Sequence, residues 1–308
     1  MNTMKLAIPL LVALAYGPSQ ALAAPILGSD LASFAVLGGA GVAINGTGSV
    51  ITGNVGGCCN ATAVTGVIPT NYTISGGAVN PGTEASAQAE LGSAITNLSG
   101  LAAGTPVSSL GGLTLGPGVY SSSSTMDLTG VLNLDNTGGD PNALWVFLVG
   151  SSLTTASNSV VNVIGAGAGA GIFWVLPTTS GSATLGSNSV FEGNILANIG
   201  ITVDTGVTAG CGRLLTQTAS VTLAGTDTIG LGCTGAGEAS GSNGWSGNGL
   251  DFVADKGWVV VGAGENVGTI VSVPGKVLSV PEPGTLALFG FGLMGLALSQ
   301  RRKLCLPT

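Results

Sequence analysis

Four short segments rich in small and hydroxylated residues recur along the second half of the chain at nearly even spacing. They begin at Thr154, Thr184, Asp204 and Leu223, so successive offsets are 30, 20 and 19 residues. Each has a small residue at its centre and is followed by a strand-like apolar pair. A period of about 20 residues, with one coil lengthened by a loop, is typical of a β-solenoid, whose coils bury their apolar residues against their neighbours.

The rest of the chain agrees with a β architecture. Short β-prone runs separated by Gly, Ser and Asn extend from Phe34 to Leu223, and such runs are typical of a sandwich, a barrel or a solenoid. The 54 glycines and the 7% of charged residues argue against a helical bundle. Among these architectures, the repeat favours the solenoid.

One segment has helical periodicity. Between Thr83 and Leu101, apolar residues recur at a spacing that places them on one helical face: Ala87, Leu91, Ile95 and Leu98. Thr83 is a suitable N-cap, and Gly100 stands at the end. We predict an all-β fold with one long helix, which docks its apolar stripe on the β body.

The first 24 residues have the order of a secretory signal peptide. Lys5 precedes an apolar run from Leu6 to Tyr16, and small residues follow at 21–23. Residues 234–279 lose the repeat and are rich in Gly, Ser and Asn, with a β-prone stretch at 258–261. We predict an exported protein in which 234–279 form a spacer, with a small extra strand pair possible.

The C-terminal segment, residues 280–308, contains Pro281-Glu282-Pro283, an apolar stretch from 285 to 299 and a basic cluster at 301–303. This order resembles the PEP-CTERM sorting signal. The resemblance implies transient membrane contact through the tail, processing by an exosortase, and delivery to the cell surface or the extracellular polysaccharide matrix. The physics of the apolar stretch alone would also suit an unrelated membrane anchor.

Charge and composition exclude several function classes. Between Ile26 and Cys233 there are nine acidic residues and one basic residue, so a nucleic-acid partner is not expected. The chain has no histidine, which excludes His-dependent triads and His-ligated metals. We expect neither a cofactor nor a metal.

The cysteines of an exported protein are expected to form disulfides. Cys211 and Cys233 lie 22 residues apart, about one coil of the repeat, and we predict that they are bonded. Cys58 and Cys59 could form a bridge with each other or pair elsewhere.

The body of the chain, residues 25–233, resembles the ice-binding-protein-like family. The blocks that carry the resemblance include Phe34-Ala-Val-Leu-Gly-Gly39, Val50-Ile-Thr-Gly-Asn-Val-Gly56, Leu110-Gly-Gly-Leu-Thr-Leu-Gly-Pro-Gly-Val-Tyr120 and Asp140-Pro-Asn-Ala-Leu-Trp-Val-Phe147. The resemblance implies a discontinuous right-handed β-helix flanked by one long α-helix, and a protein that binds an ice crystal surface.

The resemblance implies that ice is bound through Thr-(Ala/Gly)-X-(Thr/Asn) units on successive coils, as in family members known to bind ice. Two segments fit fully, 155–158 and 205–208, whereas 185–188 and 224–227 fit in part. The charge of Asp227, on what we expect to be the outermost coil, would hold its own water there. The candidate ice-binding residues are Thr155, Ser157, Asn158, Ser187, Asn188, Thr205, Thr208 and Thr226.

Two other functions stay open. A structural or adhesive protein of the extracellular polysaccharide matrix would suit the sorting tail and the acidic surface without any lattice match. A polysaccharide lyase or glycosidase would need paired carboxylates or a base beside acids. Asp204 and Asp227 could be neighbours, but Arg213 is the only base in the domain, so we do not predict an enzyme.

Overall fold

Parallel strands stacked in register form the body of the protein. The computed structural model describes residues 24–58, 63–66, 72–137, 143–165, 171–230, 249–253 and 257–261. The helices are α1 (Ser29–Ala32) and α2 (Glu84–Ser99). The strands are β1 (Ala24–Pro25), β2 (Phe34–Gly38), β3 (Gly41–Ile44), β4 (Ser49–Thr52), β5 (Asn54–Gly57), β6 (Val64–Thr65), β7 (Tyr72–Ser75), β8 (Thr105–Pro106), β9 (Thr114–Leu115), β10 (Gly118–Ser122), β11 (Met126–Leu128), β12 (Val131–Asp135), β13 (Leu144–Val149), β14 (Ser152–Thr155), β15 (Val160–Ile164), β16 (Gly171–Leu176), β17 (Ser182–Leu185), β18 (Val190–Ala197), β19 (Ile201–Val203), β20 (Thr208–Thr216), β21 (Ser220–Leu223), β22 (Thr228–Gly230), β23 (Gly249–Val253) and β24 (Gly257–Val261).

The stacked strands form three faces. The first, which we call the threonine face, is a parallel sheet of seven strands in the order β11-β14-β17-β19-β21-β3-β6. The valine face comprises β9, β12, β15, the first residues of β18 and β20, then β22, β4 and β7. The helix face comprises β8, β10, β13, β16, the last residues of β18 and β20, then β2 and β5.

The order of the coils differs from the order of the chain. The N-terminal strands β2, β3 and β4 pair with the C-terminal strands β20, β21 and β22. The coils from β8 onward begin at the opposite end of the stack, and α2 lies in the connection between the two ends. The N-terminal and C-terminal strands of the domain are therefore neighbours, two strands from one end of each face.

A buried arginine lies at this junction. Arg213 of β20 donates from Nε and Nη2 to the carbonyl oxygen of Ala32, at 3.1 and 2.8 Å, and from Nη1 to Asn194 Oδ1 at 2.9 Å. Burial lowers the pKa of Arg213 to about 10, so the guanidinium stays charged at neutral pH. It fastens the end of α1 to the last long strand of the stack.

Two apolar cores hold the fold together. One fills the interior of the stack and contains an aromatic column of Tyr120, Phe147, Trp174 and Phe191. The rings of Phe147 and Trp174 stack with centroids 3.9 Å apart and planes 9° apart. The other core lies between the helix face and α2. Strands of the helix face are therefore buried on both sides, which explains continuous apolar runs such as β13 and β16.

The helix prediction is confirmed. α2 runs from Glu84 to Ser99 and buries Ala87, Leu91, Ile95 and Leu98, together with Gln88 and Ala94. Thr83 occupies the N-cap position but makes no side-chain capping bond, and Gly100 is the C-cap. The Glu90 carboxylate accepts the backbone N–H of Leu31 at 2.7 Å, which ties α2 to α1.

An antiparallel pair lies within the predicted spacer. β23 pairs with β24, and β1 pairs with β23. The predicted signal peptide up to residue 23, the other residues of the predicted spacer, Cys233 and the sorting residues Pro281, Glu282 and Pro283 lie outside the described residues. Within the described part of the chain, no helix combines the length and hydropathy needed to cross a membrane.

Candidate threonine face

A column of threonines runs across the centre of the threonine face. The residues paired across successive strands are Asp127, Thr154, Thr184, Thr202, Thr222, Ala43 and Thr65. Their neighbours before and after in each strand point into the core, so the alternation of the strand directs this column outward. Thr154, Thr184 and Thr202 are exposed, and Thr222 is half-buried.

Small residues flank the column on both sides. Two residues earlier stand Ser152, Ser182 and Ser220, all half-buried. Two residues later stand Ala156, Gly186, Asp204, Ala224 and Asn45, and Asp204 is the only charged residue of these five. The face therefore combines hydroxyls and methyls with little charge at its centre.

The structure corrects the prediction for Thr155, which is buried with 3% of its surface exposed. Its partners in the neighbouring strands are Leu128 and Leu185, which point into the core. The Oγ1 and the carbonyl oxygen of Thr155 both accept the N–H of Gly186, at 2.9 and 3.1 Å. Thr155 therefore belongs to the interior, and its neighbour Thr154 occupies the outward position.

The register of the later segments also differs from the prediction. Thr184 pairs with Thr202 and Thr202 with Thr222, so the third segment is two residues, and the fourth one residue, out of register with the first two. Thr208 consequently pairs with Val190 at the start of the valine face rather than with the turn that contains Asn188. The prediction that Thr208 shares one exposed face with Asn158 and Asn188 is wrong.

The remaining predicted residues lie in a column of turns at the edge of the threonine face. Asn158, Asn188 and Thr226 have positive φ values of 61°, 57° and 54°. Gly206 is their counterpart in the intervening coil, with φ of 81°, and a Cβ there would lie 2.5 Å from Asn188 Oδ1. Asn and Gly adopt this left-handed conformation most readily. Ser157, Ser187 and Thr205 immediately precede three of these residues in the same turns.

Asp227 does not place a charge on the face. Its side chain is buried, and its carboxylate accepts the N–H of Val207 and that of Gly225, both at 3.0 Å. Burial raises the pKa of Asp227 above its ordinary value, the backbone donors oppose this rise, and the nearby charge of Asp204 adds to it. The carboxylate thus joins the turns of two successive coils. Its coil is also not outermost, because β3 and β6 stack beyond β21.

The cysteine prediction is tested only in part. Cys58 and Cys211 are each disulfide-bonded. Cys233 lies outside the described residues, so the pairing of Cys211 with Cys233 stays a prediction. No group of three or more His, Cys, Asp or Glu residues that could hold a metal ion occurs in the ranges described.

The threonine column was missed although its signal is present in the sequence. Each of its central members lies between two apolar residues, as in Ala183-Thr-Leu185, Ile201-Thr-Val203 and Val221-Thr-Leu223. In a strand this pattern buries the outer two and exposes the threonine. The Thr-(Ala/Gly)-X-(Thr/Asn) unit instead selects residues of the turn that follows each strand.

This geometry defines a class of protein. It is a parallel β-solenoid with a threonine face on one side and a docked helix on another. Residues 36–229 match the family model described as ice-binding-like, and residues 279–303 match the PEP-CTERM protein-sorting motif. The chain belongs to the ice-binding-like family.

Relatives and solved structures agree with this assignment. The chain is similar to an ice-binding protein of Nostoc sp. (strain HG1), with 44% identity over 69% of this chain and 77% of the relative. It also resembles the crystal structure of an ice-binding protein from the Antarctic ascomycete Antarctomyces psychrotrophicus, with a TM-score of 0.59 and 32% identity over 67% of this chain and 97% of that one. An ice-binding protein from an Antarctic biological consortium gives a TM-score of 0.58 at 28% identity, over 73% of this chain and 96% of that one.

Proposed function

We propose that this protein binds ice through its threonine face. The observation that carries the proposal is the unbroken column of Thr154, Thr184, Thr202 and Thr222 on four successive strands. The similarity to proteins named for ice binding supports the same function.

The spacing of the column suits a crystalline ligand. Side chains on stacked strands repeat every 4.7–4.9 Å or so, and residues two apart along a strand are roughly 6.5–7 Å apart. The serines at 152, 182 and 220 extend the column in the second direction. The result is a two-dimensional array of hydroxyls and methyls on a lattice comparable to the oxygen spacings of ice.

Threonine suits this array for two reasons. Its χ1 angle is stiff, so each methyl and hydroxyl holds its place before ice is bound. The methyls favour ordered water above them, and each hydroxyl can both donate and accept a hydrogen bond. The turn residues Ser157, Asn158, Ser187, Asn188, Thr205 and Thr226 extend the polar surface at the edge of the face.

The test is a bulky substitution in the column. Thr184→Tyr and Thr202→Tyr should each strongly reduce inhibition of ice recrystallisation, because a ring that projects from the threonine face prevents its close contact with a flat crystal. The melting temperature should stay the same, since exposed substitutions usually change stability by less than about 0.5 kcal/mol. Thr96→Tyr, on the exposed side of α2, is the matched control and should keep full activity.

A second candidate function is adhesion to the extracellular polysaccharide matrix, and the match to the sorting motif favours it. Wild-type protein that binds matrix polysaccharide but shows no effect on ice at micromolar concentration would establish this function instead. Full activity of both column variants would show that ice is held by another face.

We further propose that the stack is a discontinuous right-handed β-helix. The pairing of β3 with β21, and of β2 with β20, supports the discontinuity. The strong preference for right-handed crossovers between parallel strands supports the hand. In this proposal residues 25–233 form the functional domain, and 234–279 link it to the sorting tail.

The domain is proposed to act outside the cell. The sorting motif at 279–303 supports export, processing of the tail by an exosortase, and release to the surface or matrix. Intact-mass analysis of surface-released protein should then find a chain that begins near Ala24 and lacks residues 285–301. Detection of the apolar tail in the released protein would contradict processing.

A further inference from the structure

The valine face carries a second regular column of residues, distinct from the column on the threonine face. Seven strands paired in succession present β-branched residues at matching positions: Val131, Val160, Val190, Thr208, Thr228, Val50 and Thr73. Because these strands are stacked as in the threonine face, the column has the same repeat of about 4.7–4.9 Å.

Exposed apolar side chains are concentrated on this face. Among the described residues, the large hydrophobic residues that are exposed are Val50 (40%), Val131 (44%), Ile164 (41%) and Val190 (37%). All four belong to strands of the valine face. Scattered exposed apolar residues need no explanation, whereas a concentration on one face indicates an interaction surface.

The chemistry of the column resembles that of the threonine column. Valine and threonine have the same branched shape and the same stiff χ1 angle, and the column contains no charged residue. Beside it, Asn162 donates to Asn133 Oδ1 at 2.8 Å, which fixes the positions of these two adjacent amides. Glu192, two residues after Val190 in β18, is half-buried.

We propose that the valine face is a second ice-contacting surface, set at an angle to the threonine face across the column of turns. This inference rests on the proposed function of the threonine face. Two columns with the same repeat on differently oriented faces would allow the protein to hold more than one plane of a crystal. Methyl groups order the water, and the hydroxyls of Thr208, Thr228 and Thr73 anchor it.

A second copy of the chain is the competing occupant, and the face suits it poorly. Protein interfaces rely on aromatic, Met and Arg side chains that fill pockets, and none points outward from the described strands of this face. A dry interface would also remove water from the threonine hydroxyls of the column without offering them partners. Ordered water satisfies these hydroxyls directly.

The test compares two faces in the full-length exported protein. Fluorescently labelled wild type, Val190→Tyr and Thr202→Tyr are each adsorbed to a single ice crystal, and the stained crystal planes are recorded. We expect wild type to stain planes of more than one orientation, Val190→Tyr to lose one set and Thr202→Tyr to lose another. Thr208→Tyr is a second variant of the valine column, and Thr96→Tyr is the control outside both faces.

Each outcome decides between the proposals. If Val190→Tyr and Thr208→Tyr are folded and stain the same planes as wild type while Thr202→Tyr stains none, the valine face has no role and the threonine face stands. A wild type that is dimeric in solution, with monomeric valine-column variants of unchanged staining, would assign the face to a second copy and overturn the inference. If wild type stains no plane, both the proposed function and this inference fail.

Discussion

At the scale of single residues, Thr154 and Thr155 show how position decides the role of a side chain. They are adjacent and chemically identical, yet Thr154 is exposed on the threonine face and Thr155 is buried in the core. The alternation of the strand causes the difference, because successive side chains point to opposite faces. A motif that counts threonines without this alternation assigns them the same role.

This contrast predicts opposite effects for one substitution at the two positions. Thr155→Tyr should destabilise the protein by about 3 kcal/mol or more, because a ring must fit where the packed core leaves room for a threonine, and overpacking typically costs 1–3 kcal/mol for smaller changes. Thr154→Tyr should leave stability within about 0.5 kcal/mol of wild type but strongly reduce ice activity. Urea unfolding and recrystallisation assays of both variants measure the two effects. Equal unfolding midpoints for the two variants would show that Thr155 is not in the core.

At the scale of elements, the helix was predictable because its signal is local. The apolar spacing from Ala87 to Leu98, the N-cap position of Thr83 and Gly100 all lie within one segment, and α2 has the predicted bounds and buried face. Helical periodicity depends only on residues three and four apart, so no knowledge of the partner surface is needed. The docking of α2 on the helix face followed from the same stripe.

The existence of the coils could be predicted, but their register could not. Segments rich in Gly, Thr and Ser align about equally well after a shift of one or two residues, and the third and fourth segments were misaligned by these amounts. A slip of one residue moves every side chain to the other face. The residues that determine the register are the inward apolar ones, such as Leu185, Val203 and Leu223, which stack in one column. They carry more information than the hydroxylated residues between them.

The order of the coils is a property of the whole molecule. The sequence placed Asp227 on an outermost coil because no coil follows it in the repeat. In the structure β3 and β6 continue the threonine face beyond β21, so residues near the two ends of the domain are neighbours. Strands β3 and β21 pair although they are more than 170 residues apart in the chain. Such a pairing leaves no local signal in the sequence, because the connection through α2 separates the two strands.

Arg213 holds this junction together, and substitution of this residue tests that role. It is the only basic residue between Ile26 and Cys233, its surface is 1% exposed, and it donates to both Ala32 and Asn194. Arg213→Met should destabilise the protein by on the order of 3 kcal/mol, because each buried polar group that loses its partner costs about 1–3 kcal/mol. Arg213→Lys keeps a buried cation with fewer fixed donors, so its stability should lie between those of wild type and Arg213→Met.

The part of the molecule that loses stability in Arg213→Met distinguishes a defect at this junction from a general defect of the core. If Arg213 fastens the N-terminal coils to β20, Arg213→Met should raise hydrogen exchange most in residues 26–58 and 72–82, and much less in β10 and β13 toward the other end of the stack. Loss of the N-terminal coils would also remove β3 and β6 from the threonine face, so ice activity should fall before the rest of the stack unfolds. A uniform increase of exchange along the whole chain, or an unchanged unfolding midpoint, would contradict this role for Arg213.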